Sequence, residues 1–498
     1  MALSQILVFS LAAAMVGGLA RGRWRGWSLL VISLVAVYAL QPEMPIRYLD
    51  FWLPTASLAL VVVVWAATRV PTAATPAAAP GKAAPAWPAA PATSVPPDPA
   101  ARGADWLAGG LIAAVVLLVA LSRYVDRSWV SWLTPSRPPE TLTVVAALAL
   151  LGCLAVALAR FGSGSQRLLS ILIAICLGIF VILKTDALSF WASQGMRAIM
   201  QQDVSQASAL DWRWLGFSYI AFRLIHALRD RLTKRLPALG LAEFVTYALF
   251  FPTLTAGPID RADRFVKDLR QPGIAWADGG TRLIVGMFKK FVLADTLALF
   301  ALSAVSAAQA TSTFWTWILL YAYAGRIYFD FSGYTDIALG LGRLMGFKLP
   351  ENFDRPYLKP NLTVFWNSWH MTLSQWFRTY FFNPLTRALR SRPVPQWLII
   401  LIGQTGTMVL IGLWHGVSWN FAAWGVWHAV GLFGHSRWSE FARPRLAWLD
   451  ERPRLQRVTA GVSTLITFHY VALGWVWFAL PSVGLSVHVF GKLLGLNF

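Results

Sequence analysis

Two histidines in apolar settings are the residues of this sequence best suited to chemistry. His370 lies in Phe365-Trp366-Asn367-Ser368-Trp369-His370-Met371-Thr372-Leu373-Ser374-Gln375-Trp376-Phe377-Arg378, and His415 in Ile411-Gly412-Leu413-Trp414-His415-Gly416. Imidazole, with an unperturbed pKa of about 6.5, can take a proton from a hydroxyl and return it near neutral pH. A buried pair can therefore assist direct attack of a hydroxyl on an activated acyl thioester, with no metal and no acyl-serine. Read as a helix, the first segment sets His370 and Ser374 on one face. The glycines beside His415 let backbone or substrate come close. A single histidine in an apolar helix is more often a satisfied core group, and His226, His428, His435, His469 and His488 are read that way; His428 shares the aromatic-rich stretch just beyond His415. The sequence has no G-x-S-x-G elbow, Walker A loop or H-E-x-x-H, so serine-hydrolase, ATPase and zincin readings lack their parts.

Other polar groups stand in apolar surroundings nearby, where an ionisable residue is costly. In Gly325-Arg326-Ile327-Tyr328-Phe329-Asp330-Phe331-Ser332-Gly333-Tyr334-Thr335-Asp336, helical spacing pairs Asp330 with Tyr334 and Ser332 with Asp336. This polar stripe reads either as a hydrogen-bonded packing seam, with small residues letting helices approach, or as part of the site; neither aspartate is taken as catalytic. Asn352-Phe353-Asp354-Arg355-Pro356-Tyr357 is a broken, charged segment, expected at an interface or in a protein-lined re-entrant loop.

The elements that must position these residues are membrane helices. The chain has 498 residues, 57% hydrophobic and only 13% charged, where an ordinary soluble domain carries roughly a quarter charged residues. Apolar runs approaching the roughly 20 residues that cross a bilayer recur from residue 4 to residue 480, giving an all-α polytopic protein of about ten to thirteen membrane segments. The run 241–256, ending in Phe251-Pro252-Thr253 and Gly257-Pro258, reads as a span or a re-entrant element. From Pro71 to Ala101 the composition turns to Pro and Ala, which forbids helix. The expected organisation is 1–69 N-terminal transmembrane helices, 70–104 linker and 105–498 core.

The net charge of +20 fits basic cytoplasmic loops rather than nucleic acid. Arg21, Arg23 and Arg25 after the first span put the N-terminus outside, and Arg160 to Arg167 and Arg229 to Arg235 then fall on the same inner side. Arg261, Arg264, Lys267 and Arg270 join them if 241–256 dips in and returns. The 26 tryptophans suit headgroup-level anchoring. Cys153 and Cys176 lie in apolar spans and imply no disulfide framework or zinc site. The first apolar run precedes its basic cluster and lacks an A-x-A-like site, so an uncleaved first helix is expected.

The stretch Tyr328 to Arg378, then Gly412 to Gly416, then Gly474-Trp475-Val476-Trp477-Phe478, resembles the membrane-bound O-acyltransferase (MBOAT) family, the likeness running from about residue 210 onward. The resemblance implies a helical bundle with a central funnel, where an acyl donor from the cytoplasm meets an acceptor on the other side. His415 matches the family's W-H-G histidine and His370 its second one. It favours His415 as base and His370 as a group that holds substrate or stabilises developing charge. Trp414, Ser374, Asn367 and Asp336 become candidates for lining the substrate path. Gly216 to Arg223 and Leu249 to Arg261 are most similar to the D-alanyl-transfer, DltB-type branch, with the alginate O-acetylase type as near relative. That branch implies a D-alanyl thioester on the phosphopantetheine arm of a small acidic carrier protein at the cytoplasmic face, no bound cofactor, an extracytoplasmic acyltransferase partner, and a bacterial inner-membrane location. The basic inner loops have the right sign for such a carrier.

The alternative is an exopolysaccharide O-acetyltransferase. A transporter or flippase would need broken helices in matching positions of two halves, which the sequence does not offer. A structural scaffold would make both histidines dispensable.

Overall fold

The computed structural model describes residues 3–69, 101–446, 448 and 451–496. The linker expected at 70–104 lies mostly outside the described residues; its last four positions already belong to the helix Ala101–Leu121. Among the described residues all regular elements are helical, apart from an isolated antiparallel bridge between Phe353 and Trp369.

Six helices among the described residues are long and apolar enough to cross a membrane: Leu49–Thr68, Gly103–Tyr124, Thr141–Gly162, Gln166–Lys184, Gln396–His415 and Pro453–Ala479. Thr141–Ala157 buries only Val144, while its Leu142 and Leu150 are 79% and 72% exposed. Such faces need lipid as solvent, and the protein is a polytopic membrane protein. Shorter apolar helices, Leu3–Leu19, Leu241–Thr253 and Val483–Leu493, accompany them, and further stretches carry polar groups or breaks. Phe217–Leu232 carries Arg223, His226 and Asp230, all buried in protein, so lipid does not select its composition. The run 281–305 is interrupted, with helix Trp276–Met287 passing into a π-helical turn at Phe288–Ala294. The 32-residue helix Thr313–Leu344 has the length, about 48 Å at 1.5 Å per residue, but it carries the polar stripe.

The chain forms two compact units, Met1–Thr281 with Ala338–Leu349, and Arg282–Ile337 with Pro350–Phe498. In the first, Arg25 is 3% exposed rather than lying in an open basic loop. Its guanidinium donates to the Leu269 carbonyl at 2.8 Å and the Met345 carbonyl at 3.0 Å, and lies over the Phe347 ring. The segment after residue 240 takes the broken form: an eight-residue helix, Leu241–Ala248, buried except at Ala242 and Glu243, and a single tight, fully buried turn at Phe251–Thr253. Its backbone is satisfied by protein, as a non-spanning segment at depth requires. Arg223 donates to the carbonyls of Ala248 (2.9 Å) and Thr253 (2.7 Å). His226 is a satisfied core group, 2.9 Å from Asp230 and 3.2 Å from the Tyr247 hydroxyl.

The second unit contains a helical hairpin made possible by glycine. A Cβ on Gly412 would stand 2.2 Å from the Phe421 carbonyl, and one on Gly425 would stand 2.7 Å from the Met408 carbonyl. Gln396–His415 and Trp419–Arg445 thus touch backbone to backbone. The polar stripe is a seam of the same kind. Gly333 and Gly286 each leave no room for a Cβ against the other's carbonyl (2.8 and 2.7 Å). Around that contact Lys290 pairs with Asp330, while Lys289 and Arg282 pair with Asp336.

Candidate active site

His370 does not sit within a helix. It is the residue before Met371–Phe377, with φ 42° and ψ 53° in the left-handed region, uncommon for a side chain with a Cβ. The shared face expected for His370 and Ser374 is therefore not formed; their link is the first helical bond, Ser374 N–H to the His370 carbonyl at 3.1 Å. The turn is held from outside. Phe353 bridges Trp369, Asp354 N–H donates to the Ser368 carbonyl at 3.0 Å, and Met371 N–H donates to the Asn352 carbonyl at 3.0 Å. The broken segment seen in the sequence is the brace of this histidine.

His370 is 2% exposed and Asn352 0%. The Asn352 side-chain oxygen lies 3.1 Å from His370 Nδ1, 3.2 Å from Thr372 N and 2.9 Å from Thr372 Oγ1. His370 Nε2 is buried and has no hydrogen-bond partner among the described residues. The ring stands 4.6 Å from that of Phe331 and 6.0 Å from that of Trp414. His370 lies outside the six spans, and burial first, then the neighbouring His415, hold its pKa well below the usual imidazole value. The neutral, proton-accepting form is thereby favoured.

His415 is the last residue of Gln396–His415 and half-buried. Its ring centroid is 4.6 Å from Trp414, 4.7 Å from Phe478, 5.8 Å from Trp424 and 6.0 Å from Phe421. Trp414 thus neighbours both histidine rings, and Phe478 from the C-terminal aromatic motif packs against the second. Gly474 of the same motif has a specific reason: its Cβ would lie 2.9 Å from His428 Nε2. His428 is fully buried between Trp366 and Trp424, at 5.1 and 4.9 Å, with neither ring nitrogen bonded among the described residues.

The remaining candidates divide. Trp414 joins the two histidines. Ser374 is half-buried one helical turn from His370, with its hydroxyl 3.5 Å from the Trp369 carbonyl. Asn367 is exposed and accepts from Arg378 at 2.6 Å. The Asp336 carboxylate is engaged by Arg282 at 2.7 Å and Lys289 at 2.6 Å, so its evident work is in the seam. Asn352 went unrecognised in the sequence because its partner is 18 residues away across a non-helical turn.

These contacts gather the two histidine motifs and the C-terminal aromatic motif into one aromatic cluster, and comparison with known proteins says which class builds it. Residues 228–474 match the model of the MBOAT, membrane-bound O-acyltransferase, family. The teichoic acid D-alanyltransferase of Bacillus subtilis is 32% identical over 283 residues, covering 53% of this chain and 68% of that protein. The probable alginate O-acetylase AlgI of Pseudomonas syringae is 34% identical over 289 residues, 57% of this chain and 51% of that protein. A peptidoglycan O-acetyltransferase of Helicobacter pylori is 32% identical over 294 residues, covering 54% and 52%. The chain belongs to the MBOAT family. Its match spans about half the length of the alginate O-acetylase and peptidoglycan O-acetyltransferase relatives.

Proposed function

We propose that this protein is a bacterial inner-membrane acyltransferase that passes a D-alanyl or similar small acyl group from a cytoplasmic carrier-protein thioester to a hydroxyl of an extracytoplasmic envelope acceptor. The observation that carries the reading is that the rings of His370 and His415 both neighbour Trp414 inside an aromatic cluster. In the reaction the acceptor oxygen attacks the thioester carbonyl, the C–O bond forms and the C–S bond breaks. The hydroxyl proton passes to histidine and then to the departing thiolate. His415 suits the base and His370 a group that holds substrate. The aromatic shell excludes the water that would hydrolyse the thioester.

A carrier of acidic surface would find complementary charge on Asn383–Arg390 and the turn after it. Arg387, Arg390 and Arg392 are exposed there, and no acidic residue occurs between Asp354 and Glu440. An extracytoplasmic acyltransferase partner would relay the group to the final acceptor. The D-alanyl reading is supported by the teichoic acid D-alanyltransferase of B. subtilis, 32% identical over 68% of its length. O-acetylation of an exopolysaccharide is the second reading, supported by the O-acetyltransferases among the relatives.

The test is incorporation of labelled D-alanine and, separately, labelled acetate into envelope material, in wild type, His370→Ala and His415→Ala at matched membrane levels. Loss of D-alanine label in both variants is expected. Loss of acetate label alone moves the assignment to O-acetylation, and unchanged labelling in both overturns acyl transfer at this pair.

A further inference from the structure

One oxygen atom determines what His370 can do. The Thr372 backbone N–H can only donate, so the Asn352 atom that faces it at 3.2 Å is the carbonyl oxygen; a turned-over amide would set N–H against N–H. That same oxygen lies 3.1 Å from His370 Nδ1. An unprotonated Nδ1 would place two lone pairs face to face, so the proton of the neutral ring belongs on Nδ1. Its other nitrogen then carries the lone pair, and this Nε2 is the buried atom with no protein partner among the described residues.

We infer that Asn352 is a positioning residue that locks His370 in the Nδ1–H tautomer, so that Nε2 meets the bound substrate only as a hydrogen-bond acceptor. The inference rests on the acyl-transfer reading of the histidine pair and decides between two roles open to His370. A bare Nε2 can hold a second O–H or an N–H of the substrate while the attacking hydroxyl keeps its proton for His415, but it has no proton to offer a developing oxyanion. The left-handed backbone at His370 belongs to the same device: with φ 42°, Met371 N–H and Thr372 N–H both reach Asn352, one its main-chain and the other its side-chain oxygen. The ring's other neighbours are the Phe331 and Trp414 rings, and His415 is the titratable group acting on it.

The full chain in lipid nanodiscs, labelled with 15N-histidine, tests this directly, with the His370 signals assigned by their loss in His370→Gln. The expected result is a protonated Nδ1 and a non-protonated Nε2. Asn352→Leu releases the lock and gives a mixture of tautomers. Asn352→Asp keeps the acceptor oxygen, retains the tautomer, and shifts the protonation of His370 to higher pH. In parallel, release of free thiol from D-alanyl-pantetheine with glycerol as hydroxyl acceptor is followed against pH. Asn352→Leu lowers kcat roughly 10–100-fold, the range typical of lost orienting partners, with KM for the thioester little changed. Asn352→Asp moves the acid limb of the profile upward, as a carboxylate beside His370 Nδ1 requires. A protonated Nε2 in the wild type, or an Asn352→Asp protein with wild-type titration, overturns the inference. Wild-type protein with the expected tautomer but no hydroxyl-dependent thiol release refutes acyl transfer instead, so the two failures are distinguishable.

Discussion

Removing the His415 imidazole takes away the candidate base while leaving Trp414, Phe421, Trp424 and Phe478 in place around it. Positioned general bases contribute about 10²–10⁴-fold, so His415→Ala is expected to lower transfer by that factor at unchanged membrane abundance, measured as initial rates of thiol release. His370 gives a pH prediction with a definite sign. Burial and His415 lower its pKa, so on acidification it stays neutral below the pH at which an exposed histidine protonates. A 15N titration that showed it charged at pH 6.5 would contradict this. The two motif histidines and Trp414 were legible as residue types in apolar segments. Asn352 was not, because a hydrogen-bond acceptor buried by a left-handed turn has no periodicity to announce it. Ser374 was misplaced for the same reason, since an i,i+4 face exists only where the helix does.

At the scale of elements, close packing depends on a few hydrogens. Gly412→Ala puts a methyl against a main-chain carbonyl that no rotamer change can move, so Gln396–His415 and Trp419–Arg445 must part. A loss of about 1–3 kcal/mol is expected, read as a lower melting temperature in detergent, with His415 displaced and activity lower still. Arg223→Met leaves the Ala248 and Thr253 carbonyls without their donor, at about 1–3 kcal/mol each. Its thermal stability should fall by more than that of Arg270→Met, whose salt bridge to Glu243 is exposed. The breaks at Pro252 and Pro258 were visible in the sequence as interruptions. Which arginine would satisfy the freed carbonyls was not, since it depends on a contact between separate helices.

For the whole molecule, hydropathy found the six long apolar helices of the described residues and the shorter apolar ones beside them. Helices enclosed by protein, such as Phe217–Leu232, keep ionised and polar groups that hydropathy weighs as if lipid surrounded them. The orientation expected from the charge pattern puts the N-terminus outside. Arg21 and Arg23 are exposed while Arg25 is buried, so two of the three basic residues remain to mark the inner side. A tag at the N-terminus is therefore expected to be reached by antibody in intact spheroplasts; access only after permeabilisation would reverse the orientation.

Arg25 also says what happens if the chain is severed. Its bonds to Leu269 and Met345 join the segment before residue 70 to segments far downstream through side chain and carbonyl, independently of the peptide connection at 70–100. A polypeptide beginning at residue 101 would leave those two acceptors orphaned. Residues 1–69 and 101–498, made as separate polypeptides in one cell, would instead complement each other and be recovered as a pair.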